Sequence, residues 1–385
     1  MSAPWRRRAS WRRRAVVLVV VIAVTVIVVV AVRFASAALF TAALAMPAFD
    51  AWVARWSPVP AREEISLASS TPADLYRPRH PRAAVLLVHG LSPAGRRHPE
   101  LVRLARLFAR HGYLVMVPQF EGLASFHLSG HEVEETRKAI TRLRAESHTV
   151  AVVGFSFGAG PALLAAADES GLGWIGSFGG YADLRNVIVF LTTGVHQFGS
   201  ERYRGHVEEY NRWKLLALLA PLVDDAHDRE TLRRIASRRL ANPFDDVHAL
   251  AADLGPAGRA VMELSESRRE EQTRRLLAHL SPATRDALDR LSPVTVASRL
   301  HGRLWLVHGA ADDSIPFTES LRLAAASGAG ARVIILDSFH HTGPQAPWRM
   351  LLRRASDARA LFLLVDAILH EPRAARDASS VATRP

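Results

Sequence analysis

Gly154-Phe155-Ser156-Phe157-Gly158 puts a serine midway between two glycines. A β-branched run, Thr149 to Val153, leads into it, and small helix formers, Ala159 to Ala167, lead away. A serine on a sharp strand-to-helix turn stands exposed as a nucleophile. That turn needs φ > 0 at the serine and little bulk two residues to either side. The nucleophile then needs a base, and the base an orienting acid. Downstream, Arg303-Leu304-Trp305-Leu306-Val307-His308-Gly309 is an apolar run closing on His-Gly, with Asp312 and Asp313 just beyond. A further run, Arg332 to Leu336, leads into Asp337-Ser338-Phe339-His340-His341-Thr342-Gly343. Serine, aspartate and histidine thus follow in that order, each past the end of an apolar strand. Such a set performs acyl transfer through a covalent intermediate.

Over roughly residues 64 to 370 the chain resembles the α/β-hydrolase superfamily, whose triad follows this order. The elbow and the Gly309-x-x-Asp312-x-x-Ile315-Pro316 run are the specific motifs. The resemblance implies Ser156 as nucleophile and Asp312 as acid, with Asp313 the weaker alternative. It implies His341 as base, with His340 as the alternative. Another buried run, Ala83 to Val88, closes on His89-Gly90-Leu91. By the same resemblance the oxyanion hole is made by the backbone N–H groups of Leu91 and Phe157, and His89 shapes the turn. One departure stands out. Where many relatives carry an Asp-x-Arg-Gly-type loop, this chain reads Gln119-Phe120-Glu121-Gly122-Leu123, which weakens any transfer of substrate class.

The elements that must position these groups alternate. Strand readings at Glu64 to Ser69, Asp74 to Arg79, Ala83 to Val88, Tyr113 to Pro118 and Thr149 to Val153 are interleaved with helical patterns near Pro99 to Arg110 and Glu132 to Ala145. The predicted fold class is α/β: a mostly parallel sheet with helices on both faces. Catalytic groups are then expected at the carboxyl ends of strands. Between Phe190 and Pro293 the alternation stops, with helix-like blocks near Arg212 to Ala226, Asp228 to Leu240 and Arg268 to Leu280. Its place between the serine and acid strands suggests a helical cap insertion; a peripheral elaboration is the alternative. The expected organisation is a basic cytoplasmic N-terminus at 1–14, a transmembrane anchor at 15–34 and a juxtamembrane linker at 35–63. A hydrolase core at 64–190 and 294–370, a cap at 191–293 and a disordered tail at 371–385 complete it.

The formal charge of +12 is concentrated at one end, where Arg6, Arg7, Arg8, Arg12, Arg13 and Arg14 precede residue 15. Elsewhere arginines are scattered among acids without interleaved aromatics, so nucleic acid is not an expected partner. With no cysteine, disulfide and thiolate chemistry are excluded. His196, His206, His227 and His248 lack metal-helix spacing, so no metal and no cofactor is expected. Ala15 to Val32 carries no charge and as a helix spans about 27 Å. The preceding arginines put the N-terminus in the cytoplasm and the remainder outside. Ala35-Ser36-Ala37 keeps a cleaved signal peptide open as a reading, and Phe34 to Ala48 a second, imperfect span. The sequence therefore points to a membrane-anchored serine hydrolase of a small-molecule or lipid-like acyl substrate. Acyl transfer, thioester or peptide cleavage, and a non-catalytic binding protein are the alternatives.

Overall fold

The computed structural model describes residues 4–57, 60–67, 70–328, 330–340 and 347–370, with side chains of 4–15, 338–340 and 347–354 outside the description. His341 and the 371–385 tail lie outside the described residues. The chain divides into two compact units, Met1–Trp56 with Ala358–Glu371, and Ser57–Asp357. The first holds helices α1 (Pro4–Ala45) and α2 (Pro47–Val53) and the second half of α15 (Pro347–Leu369). The expected 35–63 linker therefore begins as helix. Ala-rich sequence propagates a helix well, and α1 stops only at Met46-Pro47.

The second unit is built on an eight-stranded sheet in the order β1-β2-β4-β3-β5-β6-β9-β10. Its strands are β1 (Arg62–Ser66), β2 (Pro72–Tyr76), β3 (Ala83–Val88), β4 (Tyr113–Pro118), β5 (Val150–Phe155), β6 (Trp174–Phe178), β9 (Arg303–Ala311) and β10 (Ala331–His340). The opening pair begins and ends a few residues earlier than the sequence suggests. Strand β2 is antiparallel to both its neighbours, β1 and β4. From β4 to β10 every pairing is parallel. All of β4 and nearly all of β3 and β5 are buried, because parallel strands are covered on both faces. Helices α3 (Pro99–Arg110), α4 (Glu121–Ala124), α5 (His131–Arg144), α6 (Ala159–Ala166) and α14 (Thr318–Ser327) connect them. Strand order reverses direction between β3 and β5, the crevice where open α/β sheets bind ligands.

After β6 come α7 (Leu184–Thr193) and a two-stranded hairpin, β7 (Val195–Phe198) with β8 (Glu201–Arg204). Six helices follow: α8 (Glu209–Leu219), α9 (Ala226–Ala241), α10 (His248–Ala252), α11 (Pro256–Glu266), α12 (Glu270–His279) and α13 (Pro282–Arg290). The hairpin corrects the helical reading of this stretch. Gly199, at φ 58°, supplies the left-handed turn residue that joins its strands.

One buried carboxylate fastens the strand-end loops together. Glu319, in the first turn of α14, accepts hydrogen bonds from the Ala182 and Asp183 amides at 3.0 and 2.8 Å. Asp183 in turn caps α7 through the Arg185 amide. Burial pushes the Glu319 carboxyl up to about 7, against those amides and Arg322, which pull it down. An acid raised on folding holds its proton more tightly in the native state. Its contribution to stability therefore falls as pH rises from the unfolded value to the folded one. Measured by chemical denaturation, Glu319→Gln should trail the parent most below about pH 5 and gain on it steadily up to about pH 7. A pH-independent difference would contradict this.

Candidate active site

Ser156 sits at φ 51°, in the left-handed region, directly after β5. For a non-glycine residue that conformation costs about 1–2 kcal/mol. The neighbouring glycines explain how it is tolerated. A Cβ on Gly154 would collide with the backbone of Ala159, and one on Gly158 with the His89 carbonyl. A Cβ on Gly90 would lie 3.0 Å from Ser156 Cβ and 3.6 Å from its Oγ. The β3 turn is thus pressed against the serine side chain, and Leu91 follows on that turn.

His89 holds this turn. Its Nδ1 donates to the Gly90 carbonyl at 2.8 Å, which leaves Nε2 to accept from the Phe120 amide at 3.0 Å. Those partners fix the neutral tautomer, and burial lowers its pKa. Gln119, in the loop that departs from the family pattern, accepts from the Arg96 amide at 3.0 Å. Phe157 turns into the core, 4% exposed, with its ring 5.7 Å from that of Tyr181. It packs beneath the elbow. Tyr181 donates to the Leu291 carbonyl at 3.0 Å, so the elbow rests on the end of the inserted helices. Phe155 is half-buried and stacks on Phe178.

The acid loop leaves β9 two strands away. Phe155 pairs with Phe178 in β6, and Phe178 with Val307 in β9. At about 4.8 Å per strand, this separates the elbow and acid strands by roughly 10 Å. Asp312 Oδ1 accepts from the Ser314 and Ile315 amides at 2.9 and 3.0 Å. Its Oδ2 lies 3.4 Å from where a Gly179 Cβ would sit, so it points towards the end of β6. Asp313 is buried and accepts from the Ser314 hydroxyl at 3.2 Å. His340 ends β10 and pairs with Ala311 past a register shift after Leu336, so its backbone arrives beside the acid loop.

Sequence reasoning gives no role to His308, Asn211 or Lys214. Buried His308 donates from Nε2 to the Ile315 carbonyl at 2.8 Å and accepts at Nδ1 from the Ser320 hydroxyl at 2.8 Å. Burial holds its pKa low, against the nearby Asp312 carboxylate and the Ile315 carbonyl. It is a brace of the acid loop. Asn211 of α8 donates to the Asp313 carbonyl at 3.2 Å. Lys214, one turn on, donates to the Asn211 side chain at 3.1 Å. Burial lowers the Lys214 pKa, while Asp313 and Asp312 oppose that shift. The inserted helices thus touch the acid loop directly. A cavity of about 390 Å³ opens beside it, lined by His196, Tyr203 and Phe317 on one wall and by Asp312 and Asp313 on another. Burial pushes His196 down to about 4.

Strand order, the antiparallel second strand and a positive-φ serine on the turn after β5 together decide the architecture. The chain has the α/β-hydrolase fold. No protein-family model matches it, and no curated protein matches it either. Among solved structures it is similar to an acylaminoacyl peptidase of Pyrococcus horikoshii, at 11% identity and TM-score 0.48, covering 86% of this chain and 44% of that one. It is also similar to an esterase of Pyrococcus furiosus, at 13% identity and TM-score 0.45, covering 81% and 93%. An esterase domain of a Rhodothermus marinus protein matches at 13% identity and TM-score 0.42, covering 80% and 96%. The chain spans less than half the length of the acylaminoacyl peptidase. What defines the fold is the strand order and the elbow; these similarities supply neither substrate nor mechanism.

Backbone strain at the elbow has a measurable signature. Ser156→Gly removes the left-handed penalty and Ser156→Ala keeps it. The glycine variant should therefore unfold at a temperature no lower than the alanine variant, despite glycine's greater unfolded-state entropy. A glycine variant markedly less stable than the alanine one would show the turn to be unstrained.

Proposed function

We propose that the protein is a serine hydrolase that cleaves a carboxylic ester or related acyl compound, held at a membrane by its N-terminal helix. The observation that carries this reading is Ser156 at φ 51°, with room beside its Cβ for no more than a glycine at position 90. A structural serine has no need of that strain, whereas a nucleophile presented to solvent does.

In this reading His341 takes the Ser156 proton as Oγ bonds to the substrate carbonyl carbon. The carbonyl oxygen becomes an oxyanion, stabilised by the Leu91 and Phe157 amides. Each such donor contributes about 3 kcal/mol to the transition state. Collapse breaks the bond to the leaving group, which departs with the proton from His341. Water then loses a proton to the same imidazole, attacks the acyl-enzyme and releases the acid, and Ser156 recovers its proton. Asp312 orients the imidazole. Two amides occupy its Oδ1 while Oδ2 faces the β6 end, which favours Asp312 over Asp313. The inserted helices at 191–293 act as a cap, tied to the acid loop through Asn211 and Asp313. A small-molecule or lipid-like acyl substrate is proposed as the partner at this site.

The assignment of base and acid separates cleanly by kinetics. With p-nitrophenyl esters of increasing chain length, His341→Gln and Asp312→Asn should each lower kcat/KM by about 10³-fold or more. His340→Gln and Asp313→Asn should stay within about tenfold of the parent. Loss that follows His340 would move the base by one residue. Activity indifferent to all four would contradict the triad.

A further inference from the structure

The long N-terminal helix changes character at Arg33. From Val16 to Val32 its large apolar side chains are between 49% and 71% exposed. Beyond Arg33 one face is covered: Ala37, Phe40 and Ala43 are buried, at helical spacing. In the same compact unit Leu364, Val365, Ile368 and Leu369 of α15 are buried, also along one face. Two contacts join the segments. Arg33 forks onto Asp366, with Nη1 to Oδ1 at 2.6 Å and Nη2 to Oδ2 at 3.3 Å. Phe34 meets Phe362 with ring centroids 5.7 Å apart. His370 Nδ1 lies 3.0 Å from the same Asp366 carboxylate.

We propose that the N-terminal helix is retained in the mature protein, with residues 16–32 occupied by a lipid bilayer and residues 33–45 forming a membrane-proximal stalk with the end of α15. This rests on the membrane half of the functional reading and is independent of the catalytic half. The lengths agree. The apolar stretch runs over 30 residues, which as a helix is about 45 Å and too long for a hydrocarbon core of about 30 Å. Only residues 16–32, about 26 Å of helix, have no covering face. They lie between the Arg12-Arg13-Arg14 block and Arg33, and an arginine at a span's end reaches the headgroups. A leader peptide leaves the molecule, so its residues have no place in the folded domain. Here cleavage after Ala37 would take away Arg33 and Phe34, the partners of Asp366 and Phe362, along with buried Ala37. The small-x-small sequence at 35–37 is therefore part of a helix–helix contact and not a processing site.

The test uses the full chain with an epitope tag at each end, and its readouts do not involve catalysis. After expression in a bacterial host, both tags should appear on one species of full-length mass that stays in the membrane pellet through alkaline carbonate extraction. A species that keeps only the C-terminal tag and begins at Ala38 would overturn the proposal. So would a full-length chain that carbonate releases, because the apolar segment would then be covered by protein and not lipid. The stalk is tested separately, aided by the absence of native cysteine. Arg33→Cys combined with Asp366→Cys should be joined by a short bis-maleimide, and neither single variant should be. Failure of the folded double variant to cross-link would remove the stalk.

Discussion

The close approach of two backbones at the elbow governs everything built around it. Gly154 lets β5 run tight against the start of α6, and Gly158 lets that segment touch the His89 carbonyl. Without both approaches Ser156 could not be held in a conformation worth about 1–2 kcal/mol of strain. The strain is local, but what holds it is global. The β3 turn is braced by His89, the ring of Phe157 is packed on Tyr181, and Tyr181 is bonded to Leu291 at the far end of the inserted helices.

The acid loop follows a different principle. It is ordered by hydrogen bonds and not by close packing. Asp312 is held by two amides, Asp313 by Asn211 of α8 through its carbonyl, and the loop's exit by His308 and Ser320. Glu319 then secures the helix after the loop to the strand end that lies between serine and acid. Two neutral histidines, His89 after β3 and His308 within β9, do equivalent work on either side of the elbow strand. Each has both ring nitrogens engaged. Neither is free to shuttle a proton.

Much of this is legible in sequence because strand ends carry distinctive signs. A buried β-branched run stopping at Gly-x-Ser-x-Gly or at His-Gly gives both the strand and the rim on which its next residues stand. The hairpin at 195–204 escapes that reading, although Phe198-Gly199-Ser200-Glu201 carries a turn signal; its strands are short and polar, and the surrounding helical patterns obscure a period of two. The continuation of α1 to Ala45 is hidden by Arg33 and the small residues after it, which resemble an ending. Its contacts with Asp366 and Phe362, more than 300 residues away in sequence, leave no mark along the chain. Glu319 and Asn211 are invisible for the same reason, since their roles exist only once distant loops meet.

The central claim concerns one hydroxyl, so the most direct measurement is covalent. The detergent-solubilised full-length protein, treated with a fluorophosphonate and digested, should carry the adduct on the peptide containing Ser156. Heat-unfolded protein and the Ser156→Ala variant should carry none. An adduct on another serine, or a folded parent that reacts no faster than the unfolded chain, would contradict the account.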